Sequence, residues 1–235
     1  MVNNKIIAVI AARGGSKRIP KKNIIDFHGE PLLAWTIQAA QQSEIFDKII
    51  VSTDSEEIAQ IAKNFGAEIP FMRSNHGDDH SPISFVITDA LEQMNKLYQE
   101  KFKTVVQLMP SCPLRNAKDI KNAYTNFIET NAKFQISCFS FGWMNPWWAF
   151  KLAQDQSSEP IFAEALKKRS QDLEKLYCPT GAIWIADTSE LLQHKTFYTP
   201  NTKFYPLDWK SAVDIDNYED LEMAHSIFEL MNTTS

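Results

Sequence analysis

Ile6-Ile7-Ala8-Val9-Ile10-Ala11-Ala12, followed at once by Arg13-Gly14-Gly15-Ser16-Lys17-Arg18-Ile19-Pro20-Lys21-Lys22-Asn23, is the stretch on which the fold turns. Seven apolar residues with no alternating polar face read as a strand buried on both sides, as in a parallel sheet. The glycine-rich segment after it is a loop at the strand's carboxyl end, where open α/β sheets place their ligands. Five basic residues, two glycines and a serine fall in that loop. Backbone N–H groups can therefore approach a phosphate chain while the cations neutralise it. Composition alone also allows a solvated basic loop, but the position straight after the first strand favours a ligand. Neither G-x-x-x-x-G-K-[ST] nor G-x-G-x-x-G is present, which removes the main support for an ATPase or dinucleotide site.

Working outward, Pro31 precedes LLAWTIQAAQQ, read as a helix with proline in its first turn, and Lys48–Ser52 reads as the next strand. Residues 53–57 offer capping groups and first-turn acids for a helix ending near Gly66. A short strand over Glu68–Phe71, a helix from Pro82 to about Tyr98, a strand over Thr104–Leu108 and a helix from Asn116 to about Glu129 follow. Strands are expected at Ala182–Ala186 and Ala212–Ile215, then a last helix from about Tyr218. This alternation is the pattern of βαβ units, hence an α/β fold with a mostly parallel sheet. Right-handed crossovers then bring the loops at Arg13, Asp54 and Pro110 to one cleft.

The 235 residues are read as one domain, 1–235. A net charge of −5 argues against a nucleic-acid partner, which needs a broad basic surface. Three scattered cysteines make a disulfide framework or zinc site improbable, and Ile6–Ala12 is too short to span a membrane, so a cytoplasmic location is expected. Asp214-Ile215-Asp216 would set two carboxylates on one face of a strand, where they can share Mg²⁺ with substrate phosphates or serve as capping acids ahead of Tyr218. FSFGWMNPWWAF (residues 139–150) holds three tryptophans in six residues, as a core hairpin or an interface does, and no basic amphipathic helix accompanies it to favour a membrane.

The thirteen-residue A-A-R-G-G-S-K-R-x-P-x-K-N stretch, Ala11 to Asn23, resembles the nucleotide-binding signature of the acylneuraminate cytidylyltransferase family, which includes CMP-sialic, CMP-legionaminic and CMP-pseudaminic acid synthetases. The likeness continues through VSTD (51–54), PSCPLR (110–115), RSQDL (169–173), PTGAIWI (179–185) and VDIDNYEDL (213–221). It implies a Rossmann-like three-layer nucleotidyltransferase fold in which residues about 139–180 form a protruding dimerisation and substrate-covering element of a homodimer. It implies CMP transfer from CTP to a nine-carbon acidic sugar, with Arg13, Gly14, Ser16, Lys22 and Asn23 on the nucleotide and Arg73 and Ser84 near the cytosine. Lys22, Arg13 and Asp216 are the catalytic candidates, and Asp214 with Asp216 the Mg²⁺ ligands.

Arg169 and Lys151 are expected at the sugar carboxylate, a role that suits arginine's fork, although Lys167-Lys168-Arg169 alone reads as a solvated helix end. One departure concerns the sugar. Where sialic-acid members read L-Q-P-T-S-P-L-R, this chain has Met109 in place of the glutamine, and a thioether lacks the amide's donors. Gln107, earlier on the strand, is expected to point the other way. With Thr180 and Trp184 replacing the family's asparagine and tyrosine, a modified relative such as pseudaminic or legionaminic acid becomes competitive with N-acetylneuraminic acid. The rival readings are an eight-carbon acid, 3-deoxy-manno-octulosonate, as acceptor and a catalytically silent nucleotide-binding module.

Overall fold

In the computed structural model, which describes residues 4–75, 82–99 and 101–233, the apolar run forms β1 (Ile6–Ala11). A 3-10 turn at Lys22–Ile24 and a small hairpin, β2 (Asp26–Phe27) and β3 (Glu30–Pro31), lead into α1 (Leu32–Ser43). Then come β4 (Lys48–Ser52), α2 (Glu56–Asn64), α3 (Ile83–Tyr98), β5 (Thr104–Gln107), α4 (Ala117–Glu129) and β6 (Phe134–Ser140). The outlying hairpin β7 (Phe150–Leu152) and β8 (Ser158–Pro160) precedes β9 (Tyr177–Asp187), α5 (Thr188–His194), β10 (Lys203–Pro206) and α6 (Tyr218–Thr233).

Six strands make the main sheet in the order β10-β6-β9-β5-β1-β4. The pairings β1–β4, β1–β5 and β6–β10 are parallel, and β9 alone runs antiparallel between β5 and β6. Side chains of β1 alternate between two helix layers. Ala8 and Ile10 pack with Leu33 and Ile37 of α1, Ile58 of α2 and Ile120 of α4, while Ile7 and Val9 pack with Ile87 and Met94 of α3 and Leu191 of α5. Each such fully buried side chain contributes about 1.5–3 kcal/mol, which is why β1 has no polar face. The result is the expected three-layer α/β arrangement.

The helix starts follow local chemistry. Ser55 Oγ accepts from the Ile58 amide at α2, and Asn116 with Asp119 closes a capping box at α4. Gly66 ends α2 at φ 85°, in the left-handed region glycine tolerates.

Two strands expected from the sequence do not form. Glu68 makes one parallel bridge to Ile50 and the chain then leaves the sheet. Residues 212–215 are loop, because no strand among the described residues lies alongside them. The Ile215 amide instead donates to the Ser111 carbonyl at 2.9 Å. A third apolar cluster compensates, with Ile215 buried among Ile19, Phe27, Leu32, Leu221 and Ala224. That cluster ties the basic turn to α6 and so sets where Asp214 and Asp216 sit. The strands β6 and β9 run on together beyond the sheet, pairing Ser140 with Tyr177, and residues 141–176 join their ends. That segment is largely exposed, with Trp143 at 87% and Leu152 at 76%.

Candidate active site

The loop after β1 is folded by its own short contacts. The Gly14 amide donates to Asp54 Oδ1 at 2.8 Å, and Asn23 Nδ2 donates to the Arg13 carbonyl at 2.8 Å. The VSTD aspartate thus buttresses the loop. Gly14 suits this close approach, since a Cβ would lie a tight 3.0 Å from Ser55 Cβ. Lys21 turns back in the left-handed region at φ 55° and pairs with Glu57 at 2.7 Å, which aims the next residue, Lys22, inward.

Inward means towards the D-x-D loop. Lys22 Nζ donates to the Ile215 carbonyl at 2.6 Å and lies 3.1 Å from Asp216 Oδ1, while Arg18 Nη2 reaches the same oxygen at 2.9 Å. Burial would raise the Asp216 carboxyl, but Lys22 and Arg18 outweigh it and hold the group below its ordinary value. Asp214 lies deeper. Burial raises its carboxyl against a hydrogen bond from Ser111, and the nearby Asp216 charge adds to the rise. Its Oδ1 is buried without a hydrogen-bond partner among the described residues. An unpaired carboxylate oxygen beside a second aspartate suits a divalent cation, and Mg²⁺ is commonly held by one or two carboxylates plus substrate phosphates.

A cleft of about 260 Å³ lies over these groups. Arg13, Ser16, Lys22, Asn23, Arg73, Met109 and Asp216 all line it, so the structure brings these sequence candidates together. Arg73 is a buried cation: desolvation lowers its pKa, Asp54 stands 3.8 Å away, and its Nε and Nη2 have no hydrogen-bond partner among the described residues. Such a guanidinium is an acceptor-seeking group at the cleft wall.

Other candidates lie elsewhere. Ser84 is buried and its Oγ accepts from the Phe197 amide at 3.3 Å. Ile83 and Val86, three apart on α3, hold the cleft face instead, and Ser84 is turned about 100° away from Ile83. Lys151 is exposed on β7, and Arg169 is exposed and forks onto Asp172 at 2.8 and 3.2 Å. Neither lines the cleft of its own chain. Gln107 was expected to face away from Met109. Being two residues apart the two share a side, and Gln107 Nε2 lies 3.9 Å from the Met109 sulfur. Pro110, whose loop was expected at the cleft, lines it, and so do Arg18 and Ser111, to which sequence reasoning gave no role. Their signal was membership of the two quoted motifs.

A strand-end turn of cations facing a carboxylate pair across a mostly parallel sheet defines a nucleotidyltransferase-type α/β protein. The model of the family described as Cytidylyltransferase matches residues 7–232, and the chain belongs to that family. It is 36% identical over 230 residues to a pseudaminic acid cytidylyltransferase of Campylobacter jejuni (strain 81-176), covering 96% of this chain and 97% of the relative. Against a CMP-N,N'-diacetyllegionaminic acid synthase of Legionella pneumophila the identity is 33% over 235 residues, with 96% and 97% covered. The structure of a CMP:2-keto-3-deoxy-manno-octonic acid synthetase complexed with CTP superposes with a TM-score of 0.70, covering 97% of this chain and 99% of the other. At 16% identity that last likeness speaks for the fold alone.

Proposed function

We propose that this enzyme transfers CMP from CTP to the anomeric hydroxyl of a nine-carbon acidic sugar of the sialic-acid type, releasing pyrophosphate, and that its acceptor is a pseudaminic or legionaminic acid. The observation that carries the reading is the meeting of Lys22 and Arg18 with Asp216 in one cleft, 194 residues separating Lys22 from its carboxylate partner. The hydroxyl attacks the α-phosphorus in line with the departing pyrophosphate, and such a transfer depends mainly on positioning and charge neutralisation. Lys22, Arg13 and Ser16 hold the phosphates, Asn23 fixes the loop that carries Arg13, and Arg73 faces the nucleotide from beside Asp54. Asp214 and Asp216 would hold Mg²⁺, which when bound supplies positive charge to the phosphate oxygens.

Two copies pair through the aromatic segment, whose exposed Trp143, Met144, Phe150 and Leu152 form an apolar surface. Pairing would carry Lys151 and Arg169 towards a cleft other than their own, where an acceptor carboxylate is to be met. The enzyme works in the cytoplasm. Among the described residues no helix is long and apolar enough to cross a membrane.

The test is pyrophosphate release from CTP and Mg²⁺ with a panel of acidic sugars, the product identified by mass. Turnover with pseudaminic or N,N'-diacetyllegionaminic acid is expected. Turnover with the eight-carbon acid alone would move the enzyme to that substrate, and tight CTP binding without turnover of any acid would make it a silent nucleotide-binding module.

A further inference from the structure

We infer that Gln107 is a buried recognition group for the acceptor sugar, reached past the thioether of Met109 and accepting a hydrogen bond from the N–H of an N-acyl substituent. The inference rests on the acceptor reading proposed above. Gln107 ends β5 between Val9 of β1 and Trp184 of β9, at the carboxyl end of β5 where the cleft opens. Its exposure is 0%, and its Oε1 has no hydrogen-bond partner among the described residues. Nε2 faces only a weak acceptor, the Met109 sulfur at 3.9 Å. Trp184 cannot help, because its indole N–H donates to the Thr180 carbonyl at 2.8 Å. A fully buried amide oxygen left unpaired lowers stability, and such groups in folded proteins call for a reason.

Met109 supplies one. It is half-buried, lines the cleft and fills the space over Gly181, where an added Cβ would lie 3.0 Å from its methyl carbon. Methionine is unbranched and readily repacked, so its side chain is a movable partition between the cleft and the amide. The atom without a partner is the amide oxygen and the nitrogen meets only a thioether, so a donor on the ligand completes the amide. The neighbouring cleft wall, Ile83, Val86 and Met109, is apolar. A donor N–H next to a methyl is the chemistry of an acetamido group, and a bare hydroxyl would satisfy only half of it.

The experiment compares wild type with Gln107→Met, which keeps the volume and removes the amide. Each is assayed with the preferred nine-carbon acid and with its O-acyl analogue, in which an ester oxygen replaces the amide N–H. Wild type should show about a tenfold higher KM for the analogue, and Gln107→Met about a tenfold higher KM for the natural acid with the CTP KM unchanged and no preference between the two acceptors. The unliganded variant should also melt about 2–4 °C higher, because the unpaired oxygen is gone. Equal acceptor KM values in wild type and variant, or a lower melting temperature with the ester discrimination retained, would overturn the inference and mark Gln107 as a packing residue. Should the variant not fold, wild type alone decides, since indifference between amide and ester overturns the inference and a tenfold preference sustains it. If wild type turns over no nine-carbon acid, the acceptor reading fails and takes this inference with it. Turnover with unmoved KM values in the variant fails the inference alone.

Discussion

Replacing Lys22 with alanine separates catalysis from stability in a way the structure makes quantitative. The amine is largely enclosed, with 17% of its side chain exposed, and it spans the Ile215 carbonyl and Asp216 Oδ1. If it lies against the charge that develops around the α-phosphate, its loss lowers kcat by at least about a hundredfold, equivalent to about 2.7 kcal/mol. The stability effect is separate. Asp216 is 47% exposed, so solvent screens the ion pair to about 0–1 kcal/mol, and the charge-assisted hydrogen bond to Ile215 is worth about 1.5–3 kcal/mol. Together these lower the melting temperature by at most about 16 °C, which leaves the protein folded at 25 °C. Pyrophosphate release at 25 °C under saturating CTP, alongside a thermal melt, reads both quantities. A kcat within about fivefold of wild type, or a rate loss matched by loss of the folded state at the assay temperature, would show that Lys22 does not act on the developing charge.

Asp214→Asn should abolish most turnover, by about a hundredfold or more, yet raise the melting temperature of the unliganded protein at neutral pH. The sign follows from the raised carboxyl: ionised Asp214 costs stability at every pH above its folded pKa, and the cost disappears as pH falls below the ordinary carboxyl value of 3.8. The variant's advantage in melting temperature should therefore be present at pH 7 and vanish near pH 3, and a variant less stable at pH 7 would contradict this. Arg73→Met should raise the CTP KM by about tenfold while leaving the melting temperature level or higher, because the guanidinium is buried with two nitrogens that lack hydrogen-bond partners among the described residues and with only the Asp54 contact at 3.8 Å beside it. Isothermal titration with CTP checks it, and unchanged affinity would remove Arg73 from the nucleotide site. Light scattering at micromolar concentration should give a dimer for the wild type and a monomer for the double variant Trp143→Asp, Leu152→Asp, both positions being exposed in the outlying segment. A wild-type monomer would sink the pairing.

The parts of the molecule that can be read from the chain alone rest on chemistry between near neighbours. The unbroken apolar run of β1, the Ser55 cap and the Asn116/Asp119 box each act over a few residues, so their strand and helices could be read directly. The basic turn and the aspartate pair were legible as motifs for the same reason. The tertiary structure decided everything that depended on a partner far along the chain. Residues 212–215 alternate like a strand but meet no strand, so Asp214 and Asp216 are held by Ser111 and Lys22 on a loop. Helix α5 and strand β10 escaped notice because each is short, with four to seven residues, and takes its place from the existing sheet. Ser84 and Ile83 are adjacent in sequence, and only the packing of α3 decides which of them meets the cleft. Arg18 looked like one cation among five until the fold laid it on Asp216. Burial, which raises the Asp214 carboxyl and leaves the Gln107 oxygen without a partner among the described residues, is a property of the assembled layers and is written in no single segment of the chain.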